Sequence, residues 1–114
     1  MRYMLQVYFN GAQDKVAQLP DAERQAIVGE YLAFFATPEV TDGKQLQPPA
    51  TATTVRVKDT QTVITQGPFA APGEPLGGYY LVEAEDIDSA IDLAARIPAA
   101  RMGGAIEVRP VVEQ

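Results

Sequence analysis

Between Arg2 and Phe9 the chain alternates, with Tyr3, Leu5, Val7 and Phe9 on one side and Arg2, Met4, Gln6 and Tyr8 on the other. A period of two over residues 2–9 predicts a strand with one fully apolar face and one mixed face. From Asp21 the period lengthens. Ile27, Tyr31, Phe34 and Phe35 share one helical stripe, flanked by Val28 and Leu32. Pro20 and Asp21 suit the first turn, where proline lacks only an N–H without a helical partner and an acid meets the positive end of the dipole. Thr37-Pro38 ends this helix, because proline disfavours α geometry in the residue before it. Gly29 lies inside it at a cost of ~1 kcal/mol relative to Ala. Close packing on a sheet at that point is the expected compensation.

Residues 43–52 read as a loop around Pro48-Pro49. Two β-branched runs follow, Thr53–Lys58 and Gln61–Thr65, and the intervening Asp59-Thr60 predicts a hairpin, though with a weaker turn signal than Asp-Gly. Tyr79–Ala84 is a short, strongly apolar strand. Asp86 is placed to cap a second helix whose stripe is Ile87, Ala90, Ile91, Ala94 and Ile97, ended by Pro98. After Gly103-Gly104 a last strand, Ala105–Val112, puts Ile106, Val108 and Val112 on one face and Glu107, Arg109 and Val111 on the other. The order predicts one α+β domain over residues 1–114. Its plan is ferredoxin-like βαββαβ with an added hairpin, an antiparallel sheet covered by helices on one face. The other face, expected to carry Met4, Tyr8, Val111 and Tyr80, is too apolar to be left in water. A homodimer that packs two such faces together, closing a dimeric α/β barrel, is the expected solution.

Composition narrows the partners. Fifteen acidic and nine basic residues give a net charge of -6, which disfavours nucleic acid. Neither histidine nor cysteine occurs. That removes disulfides, thiolate sites and the commonest zinc ligand, so no metal and no cofactor is expected. The opening residues lack the apolar run of a signal peptide, and no stretch approaches a membrane span. A cytoplasmic location follows as an expectation.

The chain resembles the YCII-related superfamily, in particular its proteins with a DGPF motif. The resemblance rests on Met1–Leu5, Leu46-Gln47-Pro48, Ala50–Arg56, Gly67-Pro68-Phe69-Ala70 and Leu76–Val82. Toward the end it continues with Ile97–Ala100, Gly104 and Glu107–Val111. It implies a dimeric α+β barrel of ferredoxin-like subunits with a cleft between sheet and motif loop; it implies no particular activity. Some relatives carry a transcription-initiation label, which the acidic charge does not support as DNA contact. Gln66 replaces the motif's acid and cannot ionise, and Ala71 replaces the acid that commonly follows Phe-Ala. The His–Asp pair suggested for the wider superfamily has no counterpart here.

The candidate ligand-binding residues are Gln66, Gly67, Phe69, Tyr80, Arg109 and Tyr8. Gln66–Phe69 is either a pocket wall whose Gly67 and Phe69 amides meet an oxygen, or a strand-to-loop corner that needs Gly, Pro and Phe for shape. Gly77-Gly78 admits a ligand or a neighbouring backbone. Arg109 can clamp a carboxylate or pair with an acid, and Arg56 reads as an edge charge. Tyr8 and Tyr80, expected on the same mixed face, are pocket walls or barrel filling. The acids Glu83, Glu85, Asp86, Asp88 and Asp92 fit dipole complementarity and a solvated helix. Ser89 lies outside any GxSxG elbow, so no catalytic residue is named. The leading expectation is a small-molecule-binding homodimer with a small carboxylate or carbonyl ligand and a cleft near Gln66–Phe69. The alternatives are a cofactor-free enzyme of isomerase, lyase or oxygenase type, and a protein-interaction module linked to transcription regulation.

Overall fold

The computed structural model describes residues 1–69 and 75–113. The alternation at the N-terminus becomes β1 (Arg2–Tyr8), the second strand from one edge of a four-stranded antiparallel sheet. Its neighbours are β5 (Gly78–Glu83) and β6 (Ala105–Pro110), and β2 (Val40–Gln45) adds to the free side of β5, giving the order β2-β5-β1-β6. Three helices, α1 (Ala12–Ala17), α2 (Asp21–Phe35) and α3 (Ile87–Ala95), connect the strands. The α+β class is therefore as the sequence predicts.

Register decides which side chains meet the helices. Leu5 pairs with Tyr80 on one side and Val108 on the other, while Tyr3 faces Val82 and Val7 faces Gly78 and Ile106. Tyr3, Leu5, Val7 and Val82 are buried with Phe34 of α2, Ala90, Leu93 and Ala94 of α3, and Ile97 and Ala99 beyond it. The Phe34 ring meets Tyr80 edge-on with centroids 4.9 Å apart, a geometry that aromatic quadrupoles favour.

Both helical stripes differ from expectation. On α2 only Phe34 is buried, with Ile27 and Tyr31 half-buried on the same line; Val28, Leu32 and Phe35 remain exposed, Leu32 at 67%. The helix carries more apolar width than the sheet can cover. On α3, Leu93 is buried and Ile87 and Ile91 are exposed. Asp86 caps this helix as its position predicts, Oδ1 accepting the Ser89 N–H at 2.9 Å. Gly29 meets nothing: a Cβ there has no neighbour within 4 Å, so close packing is not its reason.

The sequence reading also leaves out two elements. The short α1 follows Gly11 at φ 84°. The polar β2, whose second half falls in the stretch 43–52 read as loop, satisfies the outer edge of β5, where backbone groups need partners. The hairpin is present as β3 (Thr53–Lys58) and β4 (Gln61–Gln66), turning on Asp59 and Thr60 at φ 51° and 65°. It forms a sheet of its own. Val55, Val57 and Ile64 share one face and are 61%, 72% and 65% exposed. This projection raises the radius of gyration to 16.1 Å, against about 13 Å for a compact domain of this length.

Candidate functional site

The helix-covered side of the sheet is not filled to its edge. Between α1, α2 and the β2-β5-β1 part of the sheet lies a cleft of about 490 Å³. Phe9, Val16, Ile27, Leu32, Phe35 and Tyr80 supply much of its wall, and Tyr31 joins them from α2. Glycines shape it. A Cβ on Gly43 would stand 2.5 Å from the Tyr80 ring and one on Gly77 2.2 Å from the Phe9 ring, so both rings lie where only glycine leaves room. Gly78 abuts the backbone of Lys44 and Gln45 in β2. Gly77-Gly78 thus admit a ring and a neighbouring strand of the same chain.

Polar groups in this cleft are few. Burial raises the pKa of Tyr31 above the ordinary phenol value, helped by the nearby Tyr80 phenol and opposed by the Ala99 amide. Burial alone raises Tyr80. Both therefore remain protonated at neutral pH. Arg24 is engaged by the Asp21 carboxylate and the Leu19 carbonyl. A smaller cleft of about 270 Å³ runs from Phe9 and Gln13 past Leu46–Pro49 to Pro75–Gly77. It reaches the strand β5 end of the motif loop.

The six candidate residues do not converge. Tyr80 lines the cleft between α1, α2 and the sheet. Tyr8 lies on the opposite face of the sheet, because it pairs with Ala105 while Tyr80 pairs with Leu5; the expectation that the two phenols share a face is corrected by this register. The tyrosine that shares Tyr8's face is Tyr79, opposite Gln6. Arg109 is on that face too, paired with Glu107 at 3.4 Å and largely exposed. Gln66 ends β4 and is exposed, at the base of the projecting ribbon opposite Thr53. The Gly67 N–H donates to the Ala52 carbonyl at 2.8 Å, and the Thr54 hydroxyl donates to the Gly67 carbonyl at 2.7 Å. That amide is therefore spent on extending the hairpin. Phe69 is exposed beneath the Arg56 guanidinium, 5.6 Å from its ring centroid. Ala71, the other motif departure, lies outside the described residues.

Sequence reasoning placed Tyr31 in the core and did not single out Phe9 or Leu32. The available signal was the apolar excess of α2, three exposed side chains beyond its buried line. Among the described residues no cluster of three or more acids could hold a metal ion. No helix among them is long and apolar enough to cross a membrane.

A family model for the YCII-related domain matches residues 1–114. An uncharacterised protein of Rhizobium meliloti (strain 1021) is 37% identical over 68 residues, which cover 59% of this chain and 55% of that protein. The match thus spans about half the length of this relative. With a family match over its full length and an α+β fold consistent with a ferredoxin-like plan, the chain belongs to the YCII-related domain family.

Proposed function

We propose that the chain is a homodimeric small-molecule-binding domain of the DGPF-motif subgroup, with its ligand in the cleft between α1, α2 and the sheet. The observation that carries the reading is the cleft itself, about 490 Å³ and walled by aromatic and aliphatic side chains with two phenols among them. That volume lies in the range of small-molecule sites. The ligand is placed by Tyr80 and Tyr31 rather than by Gln66 and Arg109. Because both phenols keep their protons, they serve as donors and not as bases, which favours binding over proton abstraction.

The dimer has separate support. Met4, Gln6, Tyr8, Tyr79 and Leu81 are half-buried on the face away from the helices, and the molecule is only 19 Å thick. Two layers account for that thickness, leaving no third over this face. At its centre the Gln6 Oε1 is buried without a hydrogen-bond partner. This face carries Met4, Tyr8, Tyr79 and Leu81 on its inner strands and the Arg109–Glu107 and Lys44–Asp42 pairs on its outer ones. With an unpaired acceptor at its centre, it fits a second copy, which would bring donors to it.

A thermal-shift screen of carboxylates and carbonyl compounds tests the cleft, with Val28→Trp placing an indole at its mouth. A ligand at 100 times its Kd adds ~2.7 kcal/mol, a rise of about 10 °C in Tm for a domain this size. That rise is expected in the wild type and absent in Val28→Trp. Equal shifts in both proteins would overturn the assignment of the site.

A further inference from the structure

The cleft is lined by two phenols and by the Gln13 and Gln45 amides, and it offers no uncommitted charge. Tyr31 reaches its wall from α2 and Tyr80 from β5. Neither hydroxyl donates to another described residue, although the Tyr31 oxygen lies beside the Ala99 amide, and neither is sealed from solvent, the Gln6 amide oxygen being the one such orphan among those residues. Arg24, in the wall, is held by Asp21 and Leu19. Lys44 contributes to the wall, but register turns its side chain to the other face, where its Nζ meets Asp42 at 3.3 Å. The remaining wall is predominantly hydrocarbon.

Such a lining separates ligand classes. A carboxylate entering it sheds water without gaining a free cation, and an unpaired charge in an apolar site is costly. A neutral carbonyl loses little water and gains phenol hydrogen bonds, each contributing modestly when donor and acceptor are both uncharged. Resting on the cleft reading above, we propose that the ligand is an uncharged compound with an aromatic or alkyl body and an acceptor oxygen that both phenols address. Ketones, aldehydes, esters and quinones fit; carboxylates do not. The raised pKa values of both phenols act in the same direction, since they keep the donors protonated through mildly alkaline pH.

Three naphthyl probes of like size separate the possibilities in equilibrium dialysis: 2-acetonaphthone, 2-ethylnaphthalene and 2-naphthoate. Each is measured against the wild type, Tyr31→Phe, Tyr80→Phe and the double variant. The wild type is expected to bind the ketone about five- to tenfold tighter than the hydrocarbon, and the carboxylate weakest. The double variant is expected to erase the ketone's advantage while its affinity for 2-ethylnaphthalene is unchanged, which also shows that its cleft is intact. Naphthoate binding best, or a ketone preference that survives in the double variant, would overturn the ligand class and leave the cleft reading standing. No binding by any probe would overturn the cleft reading and the ligand class with it.

Discussion

Glycines show most directly how single residues act here. A Cβ at Gly104 would lie 2.5 Å from the Tyr8 carbonyl oxygen and 2.9 Å from those of Phe9 and Ala99. These are backbone atoms that cannot swing aside, so Gly104→Ala is expected to destabilise by about 2–3 kcal/mol. Calorimetry should show a Tm lower by about 10 °C. Gly29→Ala reverses the sign. With open space around that position, the variant gains the helix propensity that Gly lacks, about 1 kcal/mol, and melts higher by several degrees. A melting point for Gly29→Ala below the wild type would mean that something packs on Gly29 in solution. The cleft phenols make a prediction at alkaline pH. Above about 10 unfolded tyrosines ionise, while the raised values of Tyr31 and Tyr80 hold their protons in the folded state. Stability therefore falls as pH climbs from the unfolded value through the folded ones. Tyr31→Phe/Tyr80→Phe should flatten that fall and remove absorbance change at 295 nm from the top of the titration.

Among the elements, α3 and the hairpin contrast. The α3 cap is local chemistry: the Ser89 N–H bond lowers the Asp86 pKa. Its contribution is present above the ordinary carboxylate range and lost as pH falls through the lowered value. The hairpin is less secure, since a two-stranded ribbon with both sides wet is marginal by itself. Its turn adds strain, because Asp59 and Thr60 both adopt positive φ, where a β-branched residue is disfavoured by about 1–2 kcal/mol. Thr60→Gly relieves this. Hydrogen exchange at the Arg56 and Val63 amides, which pair across the ribbon, should slow about fivefold for ~1 kcal/mol regained. Unchanged exchange would mean that the ribbon opens without breaking its turn.

For the molecule as a whole, the uncovered sheet face makes the decisive prediction. Leu81 stands on it opposite Met4. Leu81→Asp puts a charge where the proposed dimer excludes water, so sedimentation should show the variant as a 12.3 kDa monomer and the wild type as twice that mass. A variant that stayed dimeric would move the interface elsewhere, the apolar face of the ribbon being the next surface to examine. Because the cleft opens on the other side of the sheet from this face, the monomer is expected to retain ligand binding. The two halves of the functional proposal can thus be tested independently.

Much of this was legible in the chain. Strict alternation from Arg2 to Tyr8, β-branched runs either side of Asp59-Thr60 and an acid at Asp86 each carry their own local physics, so strand, hairpin and cap were predictable without a partner element. The α+β order followed from them. Side-chain destinations were not local. Tyr79 and Tyr80 are adjacent, chemically identical, and a one-residue slip exchanges their faces; only the pairing of Leu5 with Tyr80 sends the second to the cleft and the first to the open face. The polar run Val40–Gln45 has no strand signal and becomes β2 because the edge of β5 supplies its hydrogen bonds. Sequence determined where β1, the hairpin and the two longer helices form, since periodicity and capping act over a few residues, whereas β2 required its neighbour. Tertiary structure decided which tyrosines meet in a site, because register and the limited width of a sheet beneath α2 are set by pairing between distant strands.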